Sequence, residues 1–358
     1  MKNNKFKVTF ILTDPTMKIV GGYKMVYIYS NYLTEVGCDV CILYRKYSKR
    51  RDKILENGYT LYKYLISKCP IKWFKLNKNI SRKMVRDLKE ADKILESSEV
   101  IITTAAPTMM EIHDKYIRYE GKTIHFIQDF ENWDYSEEDM YNLYSYNNKK
   151  IVISKWLKDI VDTYSPSKSV YIPNGIDCEV FKCNTPMYKR ENHSIAMLYH
   201  TQERKGIHIA LKVLKKLLVK YPDLKVYMFG SPKKPTNLGF DFEYYQNATP
   251  EKVSEIYNRC QVFLCSSLIE GFGLTGLESM LCGCVLVSTP CKGVLEYAIN
   301  GVNSIIANGY GHDELAKLID QIFSDKIKRE EYSKKAVELS KVFSQELSNK
   351  KFAQFVMR

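Results

Sequence analysis

Residues Val262–Ala307 read VFLCSSLIEGFGLTGLESMLCGCVLVSTPCKGVLEYAINGVNSIIA. The run Val262 to Cys265 is short, apolar and bounded by serines, the pattern of a buried parallel strand ending at Ser266-Ser267. A loop with Glu270 follows, then Gly271 and Gly273. From Leu274 to Cys282 the apolar positions Leu274, Leu277, Met280 and Leu281 recur at helical spacing. A strand that turns through glycines into a helix aims unpaired N–H groups and the positive end of the helix dipole at the carboxyl edge of a sheet, where an anion can be held without a metal.

Two carboxylates frame this cradle, Glu270 in the loop and Glu278 about one turn inside the helix. Each can accept a pair of hydrogen bonds side by side, one from the hydroxyls of a sugar and the other from those of a ribose, with phosphates between them. Two glutamates at this spacing arise often by chance and alone read as surface charges on a helix. Their context changes that. In order come E-G-F-G-L, the second Glu, a small-residue turn at Gly283, a strand from Val285 to Ser288, then Gly293, Glu296 and Asn300-Gly301. This series resembles the donor-site signature of retaining GT-B glycosyltransferases of family 4. The resemblance implies an α/β fold of GT-B architecture, with two Rossmann-like β/α/β domains facing across a cleft. It also implies a nucleoside-diphosphate sugar as co-substrate. Gly271, Phe272, Gly273, Leu274, Thr275 and Glu278 then join Glu270 in the donor site.

The chain of 358 residues is longer than one hydrophobic core usually holds, so two domains are expected, and an apolar content of 45 % supports a folded chain. Met1 to Lys7 runs straight into a strand and no eighteen-residue apolar stretch exists, so the expectation is a cytoplasmic protein, with peripheral attachment at the inner membrane face left open. The ten cysteines are scattered without zinc spacing, and Cys282-Gly283-Cys284 reads as core packing. A formal charge of +13 raises nucleic acid, an anionic membrane surface and acidic substrates as partners. Nucleic acid is set aside, since the charge is dispersed and no recognition motif accompanies it. Basic residues thicken from Lys63 to Lys93, with Trp73 and Phe74 among them. They read as the charged face of a soluble helix ahead of a membrane-surface patch.

At the start of the chain, Phe6 to Leu12 alternates as a strand and Gly21-Gly22 precede a helical face of Met25, Val26, Tyr29, Leu33 and Val36, closed by Gly37. The resemblance places a glycine-rich loop here against the donor, which makes Gly21 and Gly22 donor-site candidates. Ser81 to Glu99 reads as one amphipathic helix through Met84, Leu88, Ala91 and Leu95. The strand Thr123 to Ile127 ends in Gln128-Asp129-Phe130-Glu131, at the strand end where open α/β sheets place ligands. Many family-4 members show His-Asp at this point. Here Gln128 takes the histidine's position, and the Q-D-F-E wording is similar to rhamnosyltransferases of bacterial surface glycans. Gln128, Asp129 and Glu131 are acceptor candidates, with Asp129 and Glu131 as candidates to orient the acceptor or act as its base and a helix cap as the equal alternative.

Asn174-Gly175-Ile176-Asp177 resembles the junction between the family's two domains. The expected division is therefore residues 1–173 as acceptor domain, 174–342 as donor domain, and a final helix in 343–358 packing back on the first. In the second half, Lys205-Gly206 at the head of the helix Ile207 to Tyr221 resembles the family's lysine for the donor diphosphate. A cation at a helix start opposes the dipole and hints at an arriving anion. The family's arginine position falls on His200; Arg204 is the candidate to replace its charge.

The resemblance implies a glycosyltransferase that moves a sugar to a hydroxyl of a glycan or lipid-linked acceptor, with retention and without a metal or cofactor. Lys205, Arg204 and the N–H groups of Gly273 to Thr275 would stabilise the departing diphosphate, and Glu270 would orient the sugar. No carboxylate nucleophile beneath the sugar is apparent, so front-face displacement is the expected course. A nucleotide-sugar 2-epimerase of the same fold and a non-catalytic carbohydrate- or anion-binding protein are the other classes open at this stage.

Overall fold

A computed structural model describes residues 5–47, 53–69 and 71–358. They divide into two compact units, Met1–Pro173 with Ser348–Arg358, and Asn174–Leu347.

The first unit is built on β1 (Lys7–Leu12), α1 (Gly21–Glu35), β2 (Asp39–Arg45), α2 (Lys53–Lys68) and β3 (Ser81–Val85). Then come α3 (Asp92–Ser97), β4 (Val100–Thr103), α4 (Ala106–Lys115), β5 (Thr123–Ile127), α5 (Glu137–Tyr144), β6 (Lys149–Val152), α6 (Lys155–Tyr164) and β7 (Val170–Tyr171). Its seven strands lie in the order β3-β2-β1-β4-β5-β6-β7, all parallel. The order runs outward from β1 in both directions, so the strand ends near β1 and β4 form the switch point where such sheets receive ligands. Strand interiors such as Val8, Phe10, Ile42, Ile102 and Phe126 are fully buried, as a sheet covered on both faces requires.

The expected helix from Ser81 to Glu99 is not formed. Its first five residues are β3, paired with β2 from Cys41–Ser81 to Arg45–Val85, and only Asp92–Ser97 is α-helical after a 3-10 turn at Leu88–Ala91. The apolar residues Met84, Leu88, Ala91 and Leu95 are indeed buried. Spacing alone could not show that Asp87 breaks the run, its carboxylate accepting the Lys89 N–H to cap the turn.

The second unit contains β8 (Ser194–Leu198), α7 (Ile207–Lys220), β9 (Lys225–Gly230), β10 (Glu243–Gln246), α8 (Pro250–Arg259), β11 (Val262–Cys265), α9 (Leu274–Leu281), β12 (Val285–Ser288) and β13 (Ser304–Ile306). α10 (His312–Ser324), α11 (Lys326–Ser340) and α12 (Gln345–Val356) complete the chain. Six parallel strands run β10-β9-β8-β11-β12-β13. The opening stretch supplies the three strands β11, β12 and β13 and the helix α9 between them. Leu264, Val285 and Val287 from these strands pack with Ile195 and Met228 and, from α7, with Val213 and Leu214 in one core.

From Ser348 on, α12 belongs to the first unit. Phe352 is fully buried and stacks on Tyr29 at 3.9 Å between ring centroids, while the Tyr29 and Ser348 hydroxyls lie 2.7 Å apart. Ile176 pairs with Ser344, and a Cβ on Gly175 would lie 2.5 Å from the Gln345 Cα, so the Asn-Gly step is fixed by close backbone packing.

Candidate functional site

The candidate residues fall into two groups, one in each unit. In the second unit two loops at the carboxyl edge of the sheet are knitted together. The Leu268 N–H donates to the Arg204 carbonyl at 2.7 Å, and the Ser266 hydroxyl donates to the Lys205 carbonyl at 3.2 Å. Gly206, in the left-handed region at φ +59, heads α7; a Cβ there would stand 1.9 Å from the Ser266 carbonyl oxygen. This contact explains the glycine after Lys205: only a residue without a side chain lets the two loops meet.

Lys205 and Glu270 meet as a consequence. The Lys205 Nζ donates to both Glu270 carboxylate oxygens, at 2.7 and 2.8 Å, and the Ser267 hydroxyl donates to Oε1 at 2.7 Å. Burial pushes this carboxyl up, but the Lys205 charge and hydrogen bonds, the Ser267 hydroxyl and the Arg204 charge more than offset it, so Glu270 is held below the usual carboxylate range. It is ionised and oriented. Two of the three ammonium hydrogens of Lys205 are engaged by Glu270, which leaves one donor for an anion.

The helix α9 opens beside this pair. Gly273 takes φ +81 and serves as its N-cap without a side-chain cap, so the first N–H groups of the helix have no partner within it. The turn is braced from behind by the Tyr297 hydroxyl, which donates to the Gly273 carbonyl. Gly276 is needed for the same contact, since a Cβ there would be 2.4 Å from that hydroxyl. Gly273, Leu274 and Thr275 are half-exposed, whereas Gly271 and Glu278 are buried. Phe272 is buried against Tyr297 and Phe343, which confines any contact it makes with a ligand to its backbone. His200 uses its Nδ1 to accept the Gln202 N–H at 3.0 Å, so it shapes its own loop, while Arg204 sits half-buried close enough to act on Glu270. Ser267 and Tyr297 were not picked out from sequence; Ser267, three residues before Glu270, carried a local signal in its spacing, and Tyr297 carried none.

The first unit holds the other group. α1 starts at Gly21 with no side-chain cap from Val20. A Cβ on Gly22 would come within 3.2 Å of the Gln128 amide, which places the end of β5 beside the head of α1. The Gln128 Oε1 is buried with no hydrogen-bond partner. Asp129 turns on its own backbone, accepting the Phe130 N–H at 3.0 Å. Glu131 accepts the Ala106 N–H at 3.1 Å and so caps α4, a helix that the sequence reading did not identify. Burial pushes the Glu131 carboxyl up to about 8, with the Asp129 and Asp134 charges adding to the rise. His125 is buried mid-strand, and burial together with Lys150 lowers it to about 3, so it is a neutral core residue. Among the described residues no group of three or more His, Cys, Asp or Glu is placed to hold a metal ion.

Two Rossmann-like units of seven and six parallel strands, the second ending in a lysine- and glycine-lined helix terminus, define the GT-B fold. Residues 189–339 match the family described as glycosyl transferases group 1. The chain is 23% identical over 327 residues to the lipopolysaccharide 1,2-N-acetylglucosaminetransferase of Salmonella typhimurium, covering 81% of this chain and 84% of that one. It is 22% identical over 204 residues to an uncharacterized glycosyltransferase of Methanocaldococcus jannaschii, 56% of each chain. The chain spans about half the length of several curated relatives that it matches, such as 49% of a D-inositol 3-phosphate glycosyltransferase from Kribbella flavida. Among solved structures, Anabaena HepE in complex with UDP and glucose superposes with a TM-score of 0.74 at 14% identity, over 98% of this chain and 99% of that one.

Proposed function

We propose that this protein is a retaining, metal-independent glycosyltransferase that moves a sugar from a nucleoside diphosphate to a hydroxyl of a glycan or lipid-linked acceptor, in the synthesis of cell-surface polysaccharide. The observation that carries the reading is the Lys205–Glu270–Ser267 cluster at the mouth of α9. It sets a cation with a spare donor, a row of helix N–H groups and an oriented carboxylate on one edge.

Each part has a task in such a transfer. As the anomeric bond breaks, negative charge grows on the leaving diphosphate; Lys205, Arg204 and the Gly273–Thr275 N–H groups are aimed where it appears. Glu270, kept ionised, accepts hydrogen bonds from hydroxyls of the sugar, and Glu278 is the candidate for the ribose. Asp129 and Glu131 are the acceptor-side candidates, and Gly21-Gly22 are candidates for close backbone approach to a ligand. The relatives support a nucleotide sugar and a glycan acceptor: HepE holds UDP and glucose, and the Salmonella relative is a lipopolysaccharide transferase. The relatives named above do not include a rhamnosyltransferase, so the Q-D-F-E wording adds dTDP-sugars to the donors to be tried alongside UDP-sugars.

The test is a panel of UDP-, GDP- and dTDP-sugars in the presence of a chelator, followed by thermal shift and by slow donor hydrolysis, for the wild type and Glu270→Ala. One nucleotide should raise the melting temperature by mass action. Hydrolysis should fall in Glu270→Ala. No shift by any nucleotide sugar at millimolar concentration would sink the enzyme reading, and a shift that needs added divalent metal would remove the metal-independent part.

A further inference from the structure

We infer that the first unit docks on an anionic lipid surface through the outward face of α2 and the loop between β1 and α1. The orientation of α2 is the first observation. A helix on a soluble sheet ordinarily turns its apolar side inward. Here Leu61, Tyr62, Tyr64 and Leu65 are 58%, 55%, 46% and 53% exposed, while Lys63 points inward. The Lys63 Nζ donates to the Pro15 carbonyl at 3.0 Å, which fixes α2 against the loop after β1. That loop adds Met17, Ile19 and Val20 to the exposed apolar surface.

Charge is the second observation. From Asn57 to Arg86 the chain has eight lysines and arginines and not one aspartate or glutamate. Lys18, Lys68, Lys72, Lys75 and Lys78 are all exposed. Exposed leucine and tyrosine side chains on a stretch with lysines and arginines and no acidic residue from Asn57 to Arg86 fit an interface of anionic headgroups over acyl chains, with the apolar groups entering and the ammonium groups staying at the phosphates. An acidic protein or a second copy of this chain would be a different occupant. The second copy is disfavoured, because two such faces would set lysine against lysine. The loop from Pro15 to Val20 leads directly into Gly21-Gly22, beside Gln128. Docking there brings the acceptor candidates near the lipid surface, a consequence that rests on the transfer reaction proposed above; the docking itself does not.

Flotation of the full chain with phosphatidylcholine vesicles, with and without phosphatidylglycerol, at low and high salt, tests the assignment. The wild type should float with the anionic vesicles only, and less at high salt. Leu61→Glu/Leu65→Glu should lower the bound fraction about tenfold or more, because both side chains lose their apolar burial. Lys68→Gln/Lys72→Gln/Lys75→Gln should weaken binding and flatten its salt dependence. All five positions are exposed, so an unchanged melting temperature serves as the folding control. No flotation of the wild type, or variants that float like it, would overturn the proposal. So would a wild-type dimer in light scattering that Leu61→Glu/Leu65→Glu splits into monomers. Nucleotide thermal shift on the same samples reads the donor site separately, so failure of one reading is distinguishable from failure of the other.

Discussion

Lys205 and Glu270 stand at the centre of the site, and each is the reason the other tolerates its place. Their side chains are only 15% and 10% exposed. Removing one partner leaves the other as an uncompensated, largely buried charge. Lys205→Met and Glu270→Gln should therefore each destabilise the fold by roughly 3 kcal/mol, and the double variant by clearly less than the sum. Urea denaturation of the four proteins reads this coupling; additive losses would mean the pair is a solvent-screened contact. Two glycines allow a second residue-scale comparison. Gly206→Ala puts a Cβ 1.9 Å from a backbone oxygen at φ +59 and should cost about 2 kcal/mol or more. Gly22→Ala meets only the Gln128 side chain, at 3.2 Å, inside a helix that favours alanine, and should stay within about 1 kcal/mol of the wild type. Equal losses at both positions would contradict the close loop packing described here.

Glu131 shows how one element depends on another, since the loop after β5 caps α4. Its carboxyl is raised from 4.5 to about 8, chiefly by burial. A folded-state value above the unfolded one means that the fold holds a proton that the unfolded chain has already lost. The stability contributed is fully present below about 4.5, declines across the window and is gone above about 8. Glu131→Gln keeps the acceptor for the Ala106 N–H and carries no charge. The wild type should thus lose melting temperature relative to this variant from pH 4.5 to 8 and not beyond; a constant difference would place the carboxyl in water. The same scale shows what sequence could reveal. Strands such as Lys7–Leu12, Thr123–Ile127 and Val262–Cys265 and the α9 turn were legible because each has a local cause, an apolar run or a glycine; Lys205 was singled out by the resemblance, with its charge at a helix start as a hint. The segment from Ser81 to Val85 was not, because its strand identity comes from pairing with β2, a partner about forty residues away in the chain. Nor was the Tyr297 brace under Gly273, which only the folded loops bring together.

At the scale of the molecule, the two sheets share one construction but differ in how their carboxyl edges are furnished. The first offers glycines, an amide and two acidic side chains; the second offers a lysine, an arginine, helix N–H groups and an ion-paired glutamate. The transfer proposed above needs an anion held on one side, and in that proposal the second unit holds the diphosphate through Lys205. Calorimetric titration with the favoured nucleotide diphosphate, in chelator, of the wild type and Lys205→Met tests it most directly. Loss of one charge-assisted hydrogen bond should weaken binding about tenfold to hundredfold in the variant. Equal affinity in the two proteins would contradict the account, and the diphosphate would have to be sought elsewhere on the fold.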